Sequence, residues 1–138
     1  MNLQINKEAL QQMQAHAEST YPYECVGFFY GNDEGEVRII DVAKEVTNSK
    51  DGDQRRRFEV SPMDYMKAER YAAENNLGLL GIYHSHPDHP AIPSEHDLKF
   101  AQPFFSYIII SVMKGEVADT RSWALDETEK FAEESIEE

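Results

Sequence analysis

Cysteine is nearly absent: Cys25 stands alone in a chain of 138 residues. One thiol excludes an intrachain disulfide, and with it the class of small secreted domains stapled by several of them. Basic residues are scarce too. Thirteen Lys and Arg face 26 Asp and Glu, a formal net charge of -13. That balance argues against nucleic acid as a partner, because phosphate binding needs clustered cations. No apolar run approaches the roughly 20 residues that cross a bilayer. The N-terminus, "MNLQINKEALQQM", lacks the basic and then apolar pattern of a secretory signal. These absences lead us to expect a cytoplasmic protein with no membrane partner.

What is present suits one globular domain. Hydrophobic residues make up 41% and charged residues 28% of the chain, enough apolar surface to build a core and too much to leave the chain disordered. There is no repeat and no interdomain linker. Residues 1–125 read as the domain and 126–138 as an acidic tail, "DETEKFAEESIEE". Such a charge run reads as a solvated end, with a short amphipathic helix through Phe131 and Ile136 as the alternative.

Periodicity gives the elements. Asn6 caps a helix in which Leu10, Met13 and Ala17 share a face, closed by Pro22. "ECVGFFYG" and "EVRIIDVAKEV" read as a hairpin, and a polar loop, "TNSKDGDQRRR", leads to a short strand, "RFEV". Ser61, Pro62 and Asp64 open a second helix as cap, first helical residue and dipole-facing acid. Met63, Met66, Tyr71 and Ala72 are expected on its buried side, and "ENNLG" ends it. "LGLLGIYHSH" is apolar on both faces, the mark of a central strand. "SEHDLKFAQP" reads as a short helix stopped by Pro103. "SYIIISVM" and "VADTRSWAL" are two more strands, with the turn "KGE" between them. The fold class is therefore α/β, a single mixed sheet flanked by helices.

The chemistry gathers between His84 and Asp97, in "HSHPDHPAIPSEHD". Residues two apart on a strand face the same way, so His84 and His86 project together from the strand end, about 6–7 Å apart along the backbone. Two imidazoles and a carboxylate suit zinc, with a fourth position left for water. Ser94 and Asp97 form S-x-x-D, which by itself is only a helix capping box. With a His-x-His strand end just upstream, Asp97 becomes a third candidate ligand, since one residue can cap and ligate. His96 adjoins it on the helix and is expected to point elsewhere. His89 sits mid-loop with no spacing argument. A metal with an open position also calls for a general base. Glu24, charged at the head of an apolar strand, is the candidate, although a strand-end carboxylate is ordinarily just exposed.

These residues resemble the JAMM, or MPN-plus, metalloprotease signature: an upstream Glu, then H-S-H, seven residues, Ser, two residues and Asp. Here that is Glu24, His84-Ser85-His86, Ser94 and Asp97. "YPYECVGFFYG", "RRRFEVSPMDYMKAER", "GIYHSHPDHPAIPSEHDL" and "SYIIISV" extend the resemblance to compact bacterial and archaeal members over nearly the whole chain. The resemblance implies a JAMM/MPN domain, whose fold is similar to that of cytidine deaminases. It implies one zinc per chain, held by His84, His86 and Asp97, with Glu24 as general base and acid and Ser94 stabilising the oxyanion. It further implies a hydrolase of peptide or isopeptide bonds at the C-terminal Gly-Gly of a ubiquitin-like or sulfur-carrier protein. Nothing marks Ser85 as a nucleophile. Arg55, Arg56 and Arg57 are the densest basic cluster and could touch the substrate, but a solvated loop accounts for them equally well.

Three rivals bear on this reading. A zinc nucleotide deaminase needs H-x-E and P-C-x-x-C, and one cysteine rules that out. A non-catalytic MPN-type interaction module would have lost the ligands, and all of them are present. A zinc peptidase acting on small cysteine-containing peptides stays open, as does the oligomeric state.

Overall fold

The computed structural model describes residues 2–138. Short Leu/Ile alternation makes the first strand, β1 (Asn2–Ile5), and Asn6 then accepts a hydrogen bond from the Glu8 N–H to start α1 (Lys7–Thr20). β2 (Val26–Asp33) and β3 (Val37–Val46) follow as the expected antiparallel hairpin. α2 (Pro62–Glu74) starts on the Ser61 cap. β4 (Gly78–Pro87), α3 (Glu95–Lys99), β5 (Ser106–Met113), β6 (Glu116–Leu125) and β7 (Phe131–Glu137) complete the chain.

The strands run in the order β1-β3-β2-β4-β5-β6-β7, and β1 and β7 pair with each other, so the sheet closes on itself. It is mixed, as expected: β1–β3, β1–β7 and β4–β5 are parallel and the other neighbours antiparallel. α1 buries Leu10, Met13 and Ala17 against one face, where they meet Leu3, Phe29, Ile40 and Ile108. α2 lies on the other face, with Ala68 and Ala72 against Phe28, Tyr30, Ile82 and Tyr107. β4 is central, between β2 and β5, and its last residues carry the two histidines. Among the described residues no helix is long and apolar enough to cross a membrane.

Three local expectations are corrected. The acidic segment expected to be a solvated end or a short helix is β7, paired to β6 and β1, with Glu134 buried and accepting from the Ser122 hydroxyl at 2.9 Å. "RFEV" joins no ladder. The Asn48 side chain instead donates to the Arg57 carbonyl and accepts from the Glu59 N–H, both at 3.1 Å, and so takes the place of a neighbouring strand. Met63 and Met66 are half exposed. The stripe that packs runs through Tyr65, Ala68 and Ala72, at helical spacing, and leaves both methionines off it.

Candidate metal centre

The closed sheet fixes one end of β4 beside the start of β2. Val26 lies opposite His84 across the antiparallel pair, and Ser111 of β5 lies opposite His86. Ser85, between the two histidines, must face away from them. It is fully buried, and its hydroxyl accepts from the Cys25 N–H at 2.8 Å. That bond clasps the head of β2, where Glu24 stands, to the strand bearing the histidines. The sequence held the signal for this, since alternation already assigns the middle residue of H-S-H to the opposite face.

Beyond Pro87 the chain turns at Asp88, whose φ of 58° is in the left-handed region, and returns to Ser94. The capping box forms in full: the Asp97 N–H donates to Ser94 Oγ at 3.1 Å and the Ser94 N–H donates to Asp97 Oδ2 at 2.8 Å. Capping thereby aims the Asp97 carboxylate back at the histidines. His84 Nε2 lies 3.2 Å from Asp97 Oδ1, His86 Nε2 lies 3.1 Å from Asp97 Oδ2, and the two Nε2 atoms are 3.3 Å apart. Donor atoms held about 2.0–2.1 Å from a tetrahedral ion stand about 3.3 Å from one another. The observed triangle has that size, and its donors, two imidazoles and a carboxylate, are those zinc takes.

Protonation states agree with a ligand set. Burial drives the pKa of His84 down, against the pull of Asp97, so the ring is neutral. Burial works to raise the Asp97 carboxyl, but His84 and His86 beside it hold it well below the usual carboxylate range. Neutral imidazoles and an ionised carboxylate are the forms that bind metal. The Nδ1 of His86 lies 2.9 Å from the Pro90 carbonyl and must donate to it, which leaves Nε2 as the free donor atom. The His84 ring packs on Phe58, with centroids 4.5 Å apart.

Glu24, His86 and Ser94 line one cavity of about 620 Å³, together with Arg56 and Arg57. Glu24 is 5% exposed, and its Oε1 has no hydrogen-bond partner among the described residues. Burial first, and Asp97 second, push its carboxyl up to about 9, with Arg57 opposing. His84 and Asp97 also face a second, apolar cavity of about 390 Å³ walled by Phe58, Tyr65, Phe100 and Tyr107. His96 and His89 stay outside the triad. The His96 ring stacks on Phe100, and His89 lines the larger cavity. The arginine cluster divides: Arg55 lies over the Tyr23 ring, and Arg56 and Arg57 face the cavity.

The family model described as prokaryotic homologs of the JAB domain matches residues 6–126. The chain belongs to the prokaryotic JAB-domain family. This JAB-domain chain is 27% identical to a desampylase of Pyrococcus furiosus over 118 residues, which is 86% of this chain and 78% of that one. It is 32% identical to a probable TtuB-protein conjugate cleaving protease of Thermus thermophilus over 107 residues, 78% of this chain and 68% of the other. A protein from Desulfitobacterium hafniense solved in solution superposes with a TM-score of 0.85 at 29% identity, over 99% of this chain and 94% of its own. A solved chain described as a metalloprotease-like zinc site in the proteasome and signalosome, the JAMM site, shares the fold, with a TM-score of 0.57 at 18% identity over the full length of both. In this chain His84, His86 and Asp97, at the end of β4 and the start of α3, form a group of side chains that could hold a metal ion.

Proposed function

We propose that this chain is a zinc-dependent hydrolase that cleaves the amide bond after the C-terminal Gly-Gly of a ubiquitin-like or sulfur-carrier protein in the cytoplasm. His84, His86 and Asp97 hold the metal, Glu24 is the general base and acid, and Ser94 is the oxyanion donor. The observation that carries this reading is the convergence of three ligand atoms beside a buried, unpartnered carboxylate that opens into the same cavity as Ser94. The relatives' names, a desampylase and a conjugate cleaving protease, supply the substrate class.

Bound zinc supplies an acidified water and a polarised carbonyl. The chain's own groups do the rest. Glu24 Oε1 has no partner to give up, so it can take the water's proton and deliver it to the leaving amine. With its carboxyl near 9, Glu24 holds a proton at neutral pH in the metal-free protein. The Asp97 charge is part of what keeps Glu24 protonated; with that charge balanced by a metal held at His84, His86 and Asp97, Glu24 would be freer to serve as the carboxylate base. Ser94 Oγ accepts from Asp97 N, and its own proton has no acceptor among the described residues, so it can donate to an oxyanion. A Gly-Gly tail offers no side chains to grip and is held by its backbone. The cavity bordered by Arg56 and Arg57 gives such a tail, and the acidic groups near it, a cationic wall.

The test is incubation with carriers extended or conjugated beyond a terminal Gly-Gly, followed by intact mass spectrometry. Zinc-dependent release of the extension, stopped by EDTA and restored by zinc, is expected. Intact conjugate after prolonged incubation with zinc-loaded protein would refute the substrate class. The same carrier with its penultimate glycine changed to valine should be cut more slowly, because a side chain would have to pass beside the metal ligands.

A further inference from the structure

Between the two elements that carry the candidate ligands, three successive backbone carbonyls are each held by a different side chain. Ser111 Oγ of β5 donates to the His89 carbonyl at 2.6 Å. His86 Nδ1 of β4 donates to the Pro90 carbonyl at 2.9 Å. Trp123 Nε1 of β6 donates to the Ala91 carbonyl at 3.0 Å. Ser111 pairs with His86 across β4–β5, and Trp123 pairs with Tyr107 across β5–β6, so the donors share the sheet face over which the loop returns. Ala91 is 1% exposed. The middle carbonyl of the three, that of Pro90, is the one that selects the protonated nitrogen of His86, and its neighbours on both sides are pinned to the sheet.

We infer that Trp123 and Ser111 are positioning residues for the metal centre, acting through the loop to hold the Pro90 carbonyl against His86 Nδ1. They touch neither metal nor substrate. A carbonyl that keeps Nδ1 protonated leaves Nε2 as the donor atom and fixes the ring's orientation, the service outer partners give a ligating histidine. Without the indole N–H or the Ser111 hydroxyl, one flank of the clamp opens and the Pro90 carbonyl loses its fixed place. This inference rests on His86 being a zinc ligand, as proposed above.

Trp123→Phe keeps the ring and removes only the donor, and Ser111→Ala removes the other flank. Two readouts decide. In crystals of the zinc-free protein, the Pro90 carbonyl oxygen should stand within hydrogen-bond reach of His86 Nδ1 in the wild type and be displaced from it in either variant. By chelator competition, zinc should bind about tenfold more weakly in each. The double variant should fall little further, because either loss releases the same carbonyl. Ser122→Ala, on the same strand as Trp123, loses its bond to Glu134 and should lower stability without changing zinc affinity or the place of the Pro90 carbonyl. A folded Trp123→Phe or Ser111→Ala protein with the Pro90 carbonyl in its wild-type place and zinc affinity within twofold of wild type would overturn the inference, and if Trp123→Phe does not fold, Ser111→Ala decides alone. If the wild type itself fails to bind zinc at the triad, the proposed function falls. The place of the Pro90 carbonyl in the variants then still decides the clamp.

Discussion

Replacing Glu24 by Gln should make the metal-free protein more stable and the enzyme inactive. The stabilisation follows from where Glu24 sits. Its carboxyl has an ordinary value of 4.5 and is pushed up to about 9 in the fold, by burial first and Asp97 second. Between those two values the unfolded chain has released the proton and the folded chain still holds it. The unfolded state therefore binds fewer protons, and stability falls as pH rises. The penalty is absent below the lower value and complete above the upper one. Each pH unit in that window costs about 1.4 kcal/mol, so at pH 7, about 2.5 units above the lower value, the burden is about 3 kcal/mol. Gln does not titrate and escapes it. Other ionisable groups are common to both proteins and cancel in the difference. Denaturant melts of EDTA-treated wild type and Glu24→Gln from pH 5 to 8 should show the variant gaining steadily, by about 3 kcal/mol between pH 5 and 7, or about 10 °C in Tm near neutrality. Its turnover should drop about 10²–10⁴-fold with zinc retained. A stability difference that does not change with pH would refute the assignment of Glu24 as a buried carboxyl held protonated. Turnover near that of the wild type would remove it from the chemistry.

His86→Ala should abolish stoichiometric zinc, because the triangle loses one corner and the Pro90 carbonyl its donor. Elemental analysis checks this, and full occupancy in the variant would refute the ligand set. Ser94→Ala should retain zinc and lose about 10²–10³-fold in kcat, read from single-turnover kinetics. If zinc is lost as well, the serine serves through its cap on Asp97 rather than as an oxyanion donor. Gly81→Ala should destabilise by about 3 kcal/mol or prevent folding, because a Cβ there would meet the Ser106 carbonyl oxygen of β5 and the Phe29 ring. Denaturant melts measure it, and an unchanged midpoint would contradict the close β4–β5 approach.

The centre of the molecule is legible in the sequence because local signals there agree with the global fold. "LGLLGIY" is apolar at every position, which only a strand covered on both faces tolerates, and β4 is that strand. The alternation rule that puts His84 and His86 on one face also assigns Ser85 to the other, and S-x-x-D fixes both a helix start and the aim of Asp97. The rim is less legible. In β7 only Phe131, Glu134 and Ile136 turn toward protein, so the six other acidic residues of "DETEKFAEESIEE" drown the strand pattern. "RFEV" has the composition of a strand, yet Asn48, eleven residues before Glu59, supplies its partners, and composition cannot foresee a side chain standing in for a strand. Met63 and Met66 mislead because α2 packs through alanines and tyrosines, whose small and ring-shaped surfaces fit the sheet closely and leave the longer side chains outside.

The pairing of β1 with β7 sets an order of events during synthesis. Asn2 through Gln4 bond to Ser135 through Glu137, so β1 waits for a strand made well over a hundred residues later. β3 can take one side of β1 early, but the other side stays an open row of amides and carbonyls until β7 has been made. An unpaired edge of that kind is what neighbouring nascent chains on one messenger pair with. The acidic character of β7, which disguises it as a loose end, makes copies of that strand repel one another once they are made, which favours pairing with the β1 of the same chain.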